Sequence, residues 1–285
     1  MTQITQIKRQ LVNECRYFKE VLLVVCRCFG RVVSDVSCNQ KMFVLRITNQ
    51  YTMNVVITGA SRGIGKAIAD LFASNGHHLF LCSKNETHLN QTVDALQVRY
   101  PGVKIKAKAR DLSTKEGVES FADWMLDNRC SVDVLINNAG SFLPGSICLE
   151  QDGVLESMLQ INLYSAYHLT RKLVPVMKSQ KNGHIFNICS IASLKAYPQG
   201  GAYGISKYAL YGFSANLREE LKPEGIRVTS VFPGAVLTDS WGDFDNSTGR
   251  IMEAEDVAQM IYAATQLSPQ ACVEDIVLRP QLGDL

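Results

Sequence analysis

No run of about 18 apolar residues occurs in the chain, so no transmembrane helix is expected. The apolar run Val21–Cys26 is too short even for the hydrophobic region of a signal peptide. No two cysteines are spaced C-x-x-C. Cys15, Cys26, Cys28, Cys38, Cys82, Cys130, Cys148, Cys189 and Cys272 are scattered and odd in number, which reads as reduced thiols of a cytoplasmic protein. Cys26 and Cys28 would need histidine partners to hold a metal, and the first 52 residues contain no histidine. His77, His78, His88, His168 and His184 show no ligand spacing, so no metal is expected. A basic tract interleaved with aromatics is also missing, and the net charge is only +2. Nucleic acid is therefore not expected as a partner. Internal repeats and low-complexity tracts are absent.

What is present suits a folded, water-facing protein. The 285 residues are 46% hydrophobic and 20% charged, enough for one large domain or two small ones. The chain changes character near residue 52. Before it stand eight Lys/Arg against three Asp/Glu, a local charge of +5, and a weak helical pattern around residues 5–28; the remainder carries −3. Residues 1–52 are expected to be an appendage, or an extension upstream of an initiator at Met53, with the folded domain at 53–285. A transit peptide is the rival, against which Glu14, Glu20, Asp35 and the scarcity of serine weigh. Intact-mass analysis of the native product decides the start.

From residue 53 onward, short β-branched runs alternate with helical stretches. Strands are predicted at 53–58, 78–82, 103–108, 132–136, 183–188, 226–231 and 273–278. Helices are predicted near 63–76, 86–99, 115–128, 153–180, 202–222 and 254–265. This alternation predicts an α/β fold, a doubly wound parallel sheet with helices on both faces and right-handed crossovers.

The first strand runs into Thr58-Gly59-Ala60-Ser61-Arg62-Gly63-Ile64-Gly65, after which a helix begins. Glycine permits a sharp turn and close approach of a pyrophosphate to the backbone. The free N–H groups and dipole of the helix start attract the anion. The spacing is G-x-x-x-G-x-G rather than G-x-G-x-x-G. A simple tight turn is the other reading, but the first βα junction is where a dinucleotide binds. The second strand ends Leu81-Cys82-Ser83-Lys84-Asn85, without the acid that would bind a ribose 2′-hydroxyl. Lys84 and Arg62 are two cations for a 2′-phosphate, which favours NADP(H) over NAD(H). Both could also be solvated surface charges.

Tyr203 and Lys207 stand at i and i+4, on one face of a predicted helix. A free phenol titrates near pH 10, and a neighbouring ammonium lowers that value and makes the pair a usable acid/base. Cys189 lies beside Ser190, but no histidine in the motif would activate it. Asn137 and Asn138 could simply cap a strand end, and Ser190 a helix start.

Together these pieces resemble the short-chain dehydrogenase/reductase family over residues 53 to about 280. The matching residues are Thr58–Gly65, Asn137-Asn138-Ala139-Gly140, Ser190, Tyr203, Lys207 and Pro233-Gly234, in one order, with Ser190 thirteen residues before Tyr203. The resemblance implies a single Rossmann-type domain. In it, Tyr203 donates a proton to a carbonyl oxygen and Lys207 lowers its pKa and holds the nicotinamide ribose. Ser190 hydrogen-bonds the substrate oxygen, and Asn162 helps carry a proton relay. Gly59, Ser61, Arg62, Gly63, Ile64 and Gly65 would cradle the phosphates. Lys84, Asp111, Leu112, Asn138, Ala139, Gly140, Pro233, Gly234, Val236 and Thr238 would complete the cofactor site.

The resemblance extends to small-carbonyl and 3-oxoacyl reductases and to sepiapterin reductase. The expected activity is reduction of a small-molecule ketone or aldehyde by NADPH. An NAD-linked alcohol dehydrogenase and a non-catalytic NADP(H)-sensing protein are the alternatives. The ending Ile276-Val277-Leu278-Arg279-Pro280 departs from the Asp-Gly-Gly of acyl-carrier-protein reductases. Residues 239–249 are expected to form a lid with Trp241 and Phe244, and Phe142 and Tyr197 to reach the pocket. The helices near 153–180 and 202–222 are expected to pair in a homodimer or homotetramer.

Overall fold

The computed structural model describes residues 51–128 and 131–284. The expectations for residues 1–50, including the helical pattern around 5–28, lie outside the described residues.

Seven parallel strands form one sheet in the order β3-β2-β1-β4-β5-β6-β7. They are β1 (Asn54–Thr58), β2 (His78–Ser83), β3 (Ile105–Ala109), β4 (Val134–Asn137), β5 (Gly183–Ile188), β6 (Ile226–Pro233) and β7 (Asp275–Leu278). The helices are α1 (Gly63–Ser74), α2 (Glu86–Arg99), α3 (Lys115–Asp127), α4 (Val154–Leu159), α5 (Ser165–Gln180), α6 (Gly201–Leu221) and α7 (Ala254–Thr265). The sheet is doubly wound, as its pattern predicts. Successive strand residues point to opposite faces. Val55 and Ile57 pack with Ile68 and Phe72 of α1, Leu89 and Leu96 of α2 and Ile261 of α7. Val56 packs on the other face with Phe121 of α3, Leu173 of α5 and Leu217 of α6.

The helix expected over 153–180 is not continuous. Gln160–Tyr164 form a π-helical turn between α4 and α5. Apolar periodicity does not register a one-residue widening of this kind, which concentrates at functional sites. A buried polar chain ties α6 to the sheet beneath the site. Asn137 Nδ2 donates to Asn187 Oδ1 (2.9 Å), Asn187 Nδ2 to Ser214 Oγ (3.0 Å), and Ser230 Oγ to Ser214 Oγ (2.9 Å). Each bond satisfies a group that would be costly to bury alone.

The strand order reverses between β1 and β4. In open α/β sheets the crevice beyond the carboxyl ends of the strands at such a switch point is where ligands bind. The loops after β1, β4, β5 and β6 all emerge there.

Candidate active site

The glycine loop follows β1 directly. Gly59 (φ +64°) and Gly63 (φ +53°) take the left-handed conformation that side chains disfavour. A methyl group on Gly65 would collide with the Gly59 carbonyl and come within 2.5 Å of Asn138 Nδ2. Helix α1 starts at Gly63 with no acidic residue in its first turn and no side-chain cap. Its first amides are therefore open to an anion, as a pyrophosphate cradle requires.

Asn138 fastens this loop to the end of β4. Its Nδ2 donates to the carbonyls of Thr58 (2.9 Å) and Gly59 (3.1 Å). Thr58 Oγ1 accepts from the amides of Asn138 and Ala139, each at 2.9 Å. Asn138 is thus a joint between the two loops, and Thr58, which opens the glycine motif but has no role assigned from it, is a second member. A hydroxyl at the strand's last residue was the signal available for it.

At the tip of β2, Ser61 Oγ and Ser83 Oγ share a hydrogen bond of 2.8 Å. Lys84 pairs with Asp111 at 2.8 Å, and Arg62 pairs with Asp239 at 3.3 Å. Burial pushes the Asp111 carboxyl up, but hydrogen bonds from Lys84 and Ser113 outweigh it and hold the group below its usual value. Both expected phosphate cations therefore have acidic partners. These pairs are open to solvent, with side-chain exposures of 77% for Lys84 and 66% for Arg62. An exposed pair is worth about 1 kcal/mol or less and exchanges readily for a phosphate.

The catalytic candidates converge where β4, β5 and α6 meet. The Ser190 hydroxyl caps the short helix Ile191–Ser193, accepting from the Ala192 amide at 3.1 Å. Its own proton remains available to donate, so the capping and substrate-binding readings coexist. Tyr203, in the first turn of α6, stands near the Ser190 side chain, which favours its phenolate. Lys207, one turn on, is buried. Its Nζ donates to the Ile188 carbonyl at 2.7 Å and lies 5.9 Å from the Tyr203 ring centre.

Burial pushes the Tyr203 phenol up to about 12, although the nearby Ser190 hydroxyl opposes it. Burial also brings Lys207 down to about 8. The protein's own groups thus keep Tyr203 a protonated donor. Burial pushes the neighbouring Cys189 thiol up to about 12 as well, so it is a thiol and not a nucleophile at neutral pH.

Asn162 lies in the π turn, buried. Its Oδ1 accepts from the Ser141 amide (2.8 Å), and its Nδ2 donates to the Ser141 carbonyl (3.0 Å) and to Ser206 Oγ (2.9 Å). Ser206 in turn donates to the Tyr203 carbonyl at 2.7 Å. The Asn162 amide therefore braces the loop after β4 against the helix that carries Tyr203. Gly140 leaves the room this requires, since a methyl there would stand 2.8 Å from Asn162 Oδ1 and 3.6 Å from Lys207 Nζ. Glu150, unmarked in any motif, accepts from the Ala202 amide at 3.0 Å and so caps α6.

Pro233 ends β6. The Gly234 amide donates to the Leu278 carbonyl at 2.7 Å, Val236 bridges to Met252, and Thr238 Cγ2 stands 3.1 Å from where a Gly63 methyl would be. This places Thr238 against the glycine loop. Leu112 is buried beside β2. Trp241 and Phe244 pack on each other, 5.2 Å between centres. No group of three or more metal-binding side chains occurs among the described residues.

The family model described as short chain dehydrogenase matches residues 53–248. The chain belongs to the short-chain dehydrogenase family. It is similar to a sepiapterin reductase of Chlorobaculum tepidum, 31% identical over 239 residues, covering 81% of this chain and 97% of the relative. It is similar in structure to a metagenomic short-chain oxidoreductase solved in complex with NADP. That match has 30% identity and a TM-score of 0.70, and covers 80% of this chain and 97% of the other. L-sorbose reductase from Gluconobacter frateurii, solved with NADPH and L-sorbose, aligns with 26% identity and a TM-score of 0.73, covering 80% and 95%. This short-chain dehydrogenase is accordingly an NAD(P)-dependent oxidoreductase with a Rossmann-like sheet. Among the described residues no helix is long and apolar enough to cross a membrane.

Proposed function

We propose that this short-chain dehydrogenase uses NADPH to reduce a ketone or aldehyde to an alcohol, with Tyr203 as the proton donor. The observation that carries the reading is that Ser190, Tyr203 and the buried Lys207 converge at the end of β5, with Lys207 Nζ 5.9 Å from the Tyr203 ring centre. The nicotinamide, when bound, supplies the hydride. Ser190 donates a hydrogen bond to the carbonyl oxygen and orients it. Tyr203 Oη gives its proton to that oxygen, and the Lys207 ammonium stabilises the phenolate that develops. Asn162 acts as a positioning residue, because its amide is committed to Ser141 and Ser206. The relatives that act on sepiapterin and sorbose, by name, support a small carbonyl substrate. The reacting domain is assigned to residues 53–285, with 1–52 as an appendage. The free thiols Cys82, Cys148, Cys189 and Cys272 fit a reducing, cytoplasmic setting.

The pH dependence follows from two opposite shifts. Tyr203 stays protonated up to about 12, so reduction does not lose its donor near neutrality. Lys207 loses its charge at about 8, and its help to the phenolate goes with it. The kcat for reduction is expected to be level below pH 8 and to fall above it. Arginine does not deprotonate in this range. The fall is expected to move beyond pH 10 in Lys207→Arg, read from steady-state pH profiles.

NADPH is preferred over NADH in this reading, because Arg62, Lys84 and the Ser61–Ser83 pair surround the expected 2′-phosphate position. The NAD reading draws on Asp111, whose carboxylate sits beside Lys84. Titration of both cofactors decides. NADPH is expected to bind at least 10-fold tighter than NADH, and Lys84→Ala to weaken NADPH roughly 10-fold while leaving NADH unchanged. Equal affinities in the wild type contradict the preference. The exposed face of the π turn, α5 and α6, with Tyr164, Tyr167, Ile205 and Tyr208, supports pairing into a homodimer or homotetramer. Light scattering is expected to return a multiple of the chain mass, and a monomer contradicts it.

A further inference from the structure

The loop after β4 carries no charged residue from Asn138 to Leu149. Glu150, which ends it, accepts the Ala202 amide at 3.0 Å and lies against Gly145 and Gly201, so its carboxylate is engaged with the start of α6. The Gly145 amide also donates to the Gln199 carbonyl at 3.0 Å, and Asn162 holds Ser141 by both backbone groups. The loop is thus fixed at three points: to α6 through Glu150, to the segment just before α6 through Gly145, and to the π turn through Ser141. What it presents there is Phe142. The Phe142 ring meets Tyr203 edge to face, with centres 4.8 Å apart and planes at 82°, yet it remains 46% exposed. An aromatic ring held against the proton donor but left half open is a surface for a ligand to cover.

The other loops at this end of the sheet supply little that could hold an anion. Residues 190–203 contain one charge, Lys195, and expose Leu194 and Tyr197. Residues 239–250 contain three aspartates, of which Asp239 pairs with Arg62. Arg250 donates to the carbonyls of Gly283 and Asp284, both at 3.0 Å. Lys207 is buried, held by the Ile188 carbonyl and assigned above to the Tyr203 phenolate. A carboxylate or phosphate brought next to Phe142 would lose water, with the exposed Lys195 as the single cation these loops leave unpaired, a cost that grows with burial.

We propose that the substrate is an uncharged carbonyl compound bearing a flat apolar group that packs on Phe142, and that Phe142 determines this specificity. The proposal rests on the carbonyl-reductase reading above and names its substrate class. Carbonyl compounds bearing a carboxylate, a phosphate or several hydroxyls are disfavoured.

The test is NADPH-dependent reduction of p-tolualdehyde, p-carboxybenzaldehyde and dihydroxyacetone by the full chain. The ratio kcat/KM is expected to be at least about 100-fold higher for p-tolualdehyde than for either of the others. In Phe142→Ala the KM for p-tolualdehyde is expected to rise about 10-fold, with kcat within threefold and the KM for acetaldehyde unchanged; Phe142→Leu recovers part of the loss. NADPH affinity is measured in both variants to confirm an intact fold. Equal or reversed selectivity, or a Phe142→Ala variant with unchanged KM, overturns the proposal while leaving carbonyl reduction standing. Absence of turnover with every carbonyl overturns the reductase reading instead. The cleft is then tested by calorimetry on the NADP⁺-loaded protein, with p-methylbenzyl alcohol against p-(hydroxymethyl)benzoate. Preferential binding of the neutral alcohol supports the apolar cleft, and equal or reversed binding overturns it.

Discussion

Replacing Tyr203 with phenylalanine is expected to lower kcat for carbonyl reduction on the order of 10³-fold and to leave NADPH affinity within a few-fold of wild type. That loss corresponds to about 4 kcal/mol of transition-state stabilisation. The substitution removes one oxygen and little else. The ring keeps its contact with Phe142 and its place one turn before Lys207. What disappears is the phenol hydroxyl that stands near Ser190. Because burial keeps that phenol protonated to about 12, the proton it would donate is present at every working pH. A structural role predicts lower stability with retained turnover. A donor role predicts retained binding and stability with lost turnover. Steady-state kinetics with a thermal melt on the same preparation separates the two.

Gly65→Ala is expected to weaken NADPH binding at least about 100-fold, and to destabilise the fold by roughly 1–3 kcal/mol, the usual range for forced overpacking. The added methyl would fall on the Gly59 carbonyl and within 2.5 Å of Asn138 Nδ2. Neither can step aside cheaply. The Gly59 carbonyl already accepts from Asn138, and Asn138 is held in turn by Thr58. The loop must therefore open, and the amides at the start of α1 move with it. Gly102→Ala is the control, since a methyl at Gly102 meets nothing within 4 Å. It is expected to leave cofactor affinity unchanged. Fluorescence titration with NADPH and chemical denaturation measure both effects.

Much of this was readable from residue order. Strands β1 and β4 are short, largely apolar runs because both faces of a parallel sheet are covered, and such runs stand out from the amphipathic helices between them. Tyr203 and Lys207 share a helix, so their spacing alone put them on one face. Other features depend on contacts between distant residues. Arg62 and Asp239 are 177 positions apart, and Asn162 and Ser206 are 44 apart. Glu150 caps a helix that starts 51 residues later, where a capping acid ordinarily lies within a few residues of its helix. The π turn at Gln160–Tyr164 escaped because the apolar face continues through it from α4 to α5. Lys84 was legible as a cation beside the expected ribose, but its pairing with Asp111 was not, since it arises only when the ends of β2 and β3 are brought side by side.

The Tyr203 proton matters only if a hydride arrives with it, so the most direct test follows the hydride. The full chain is incubated with p-tolualdehyde and NADPH carrying deuterium at the transferable nicotinamide position, and the alcohol is examined by mass spectrometry and NMR. One deuterium on the carbinol carbon for each NADPH consumed, with a rate that collapses in Tyr203→Phe, is the predicted result. NADPH oxidised without deuterium in the alcohol, or label transferred at an undiminished rate by Tyr203→Phe, would contradict it.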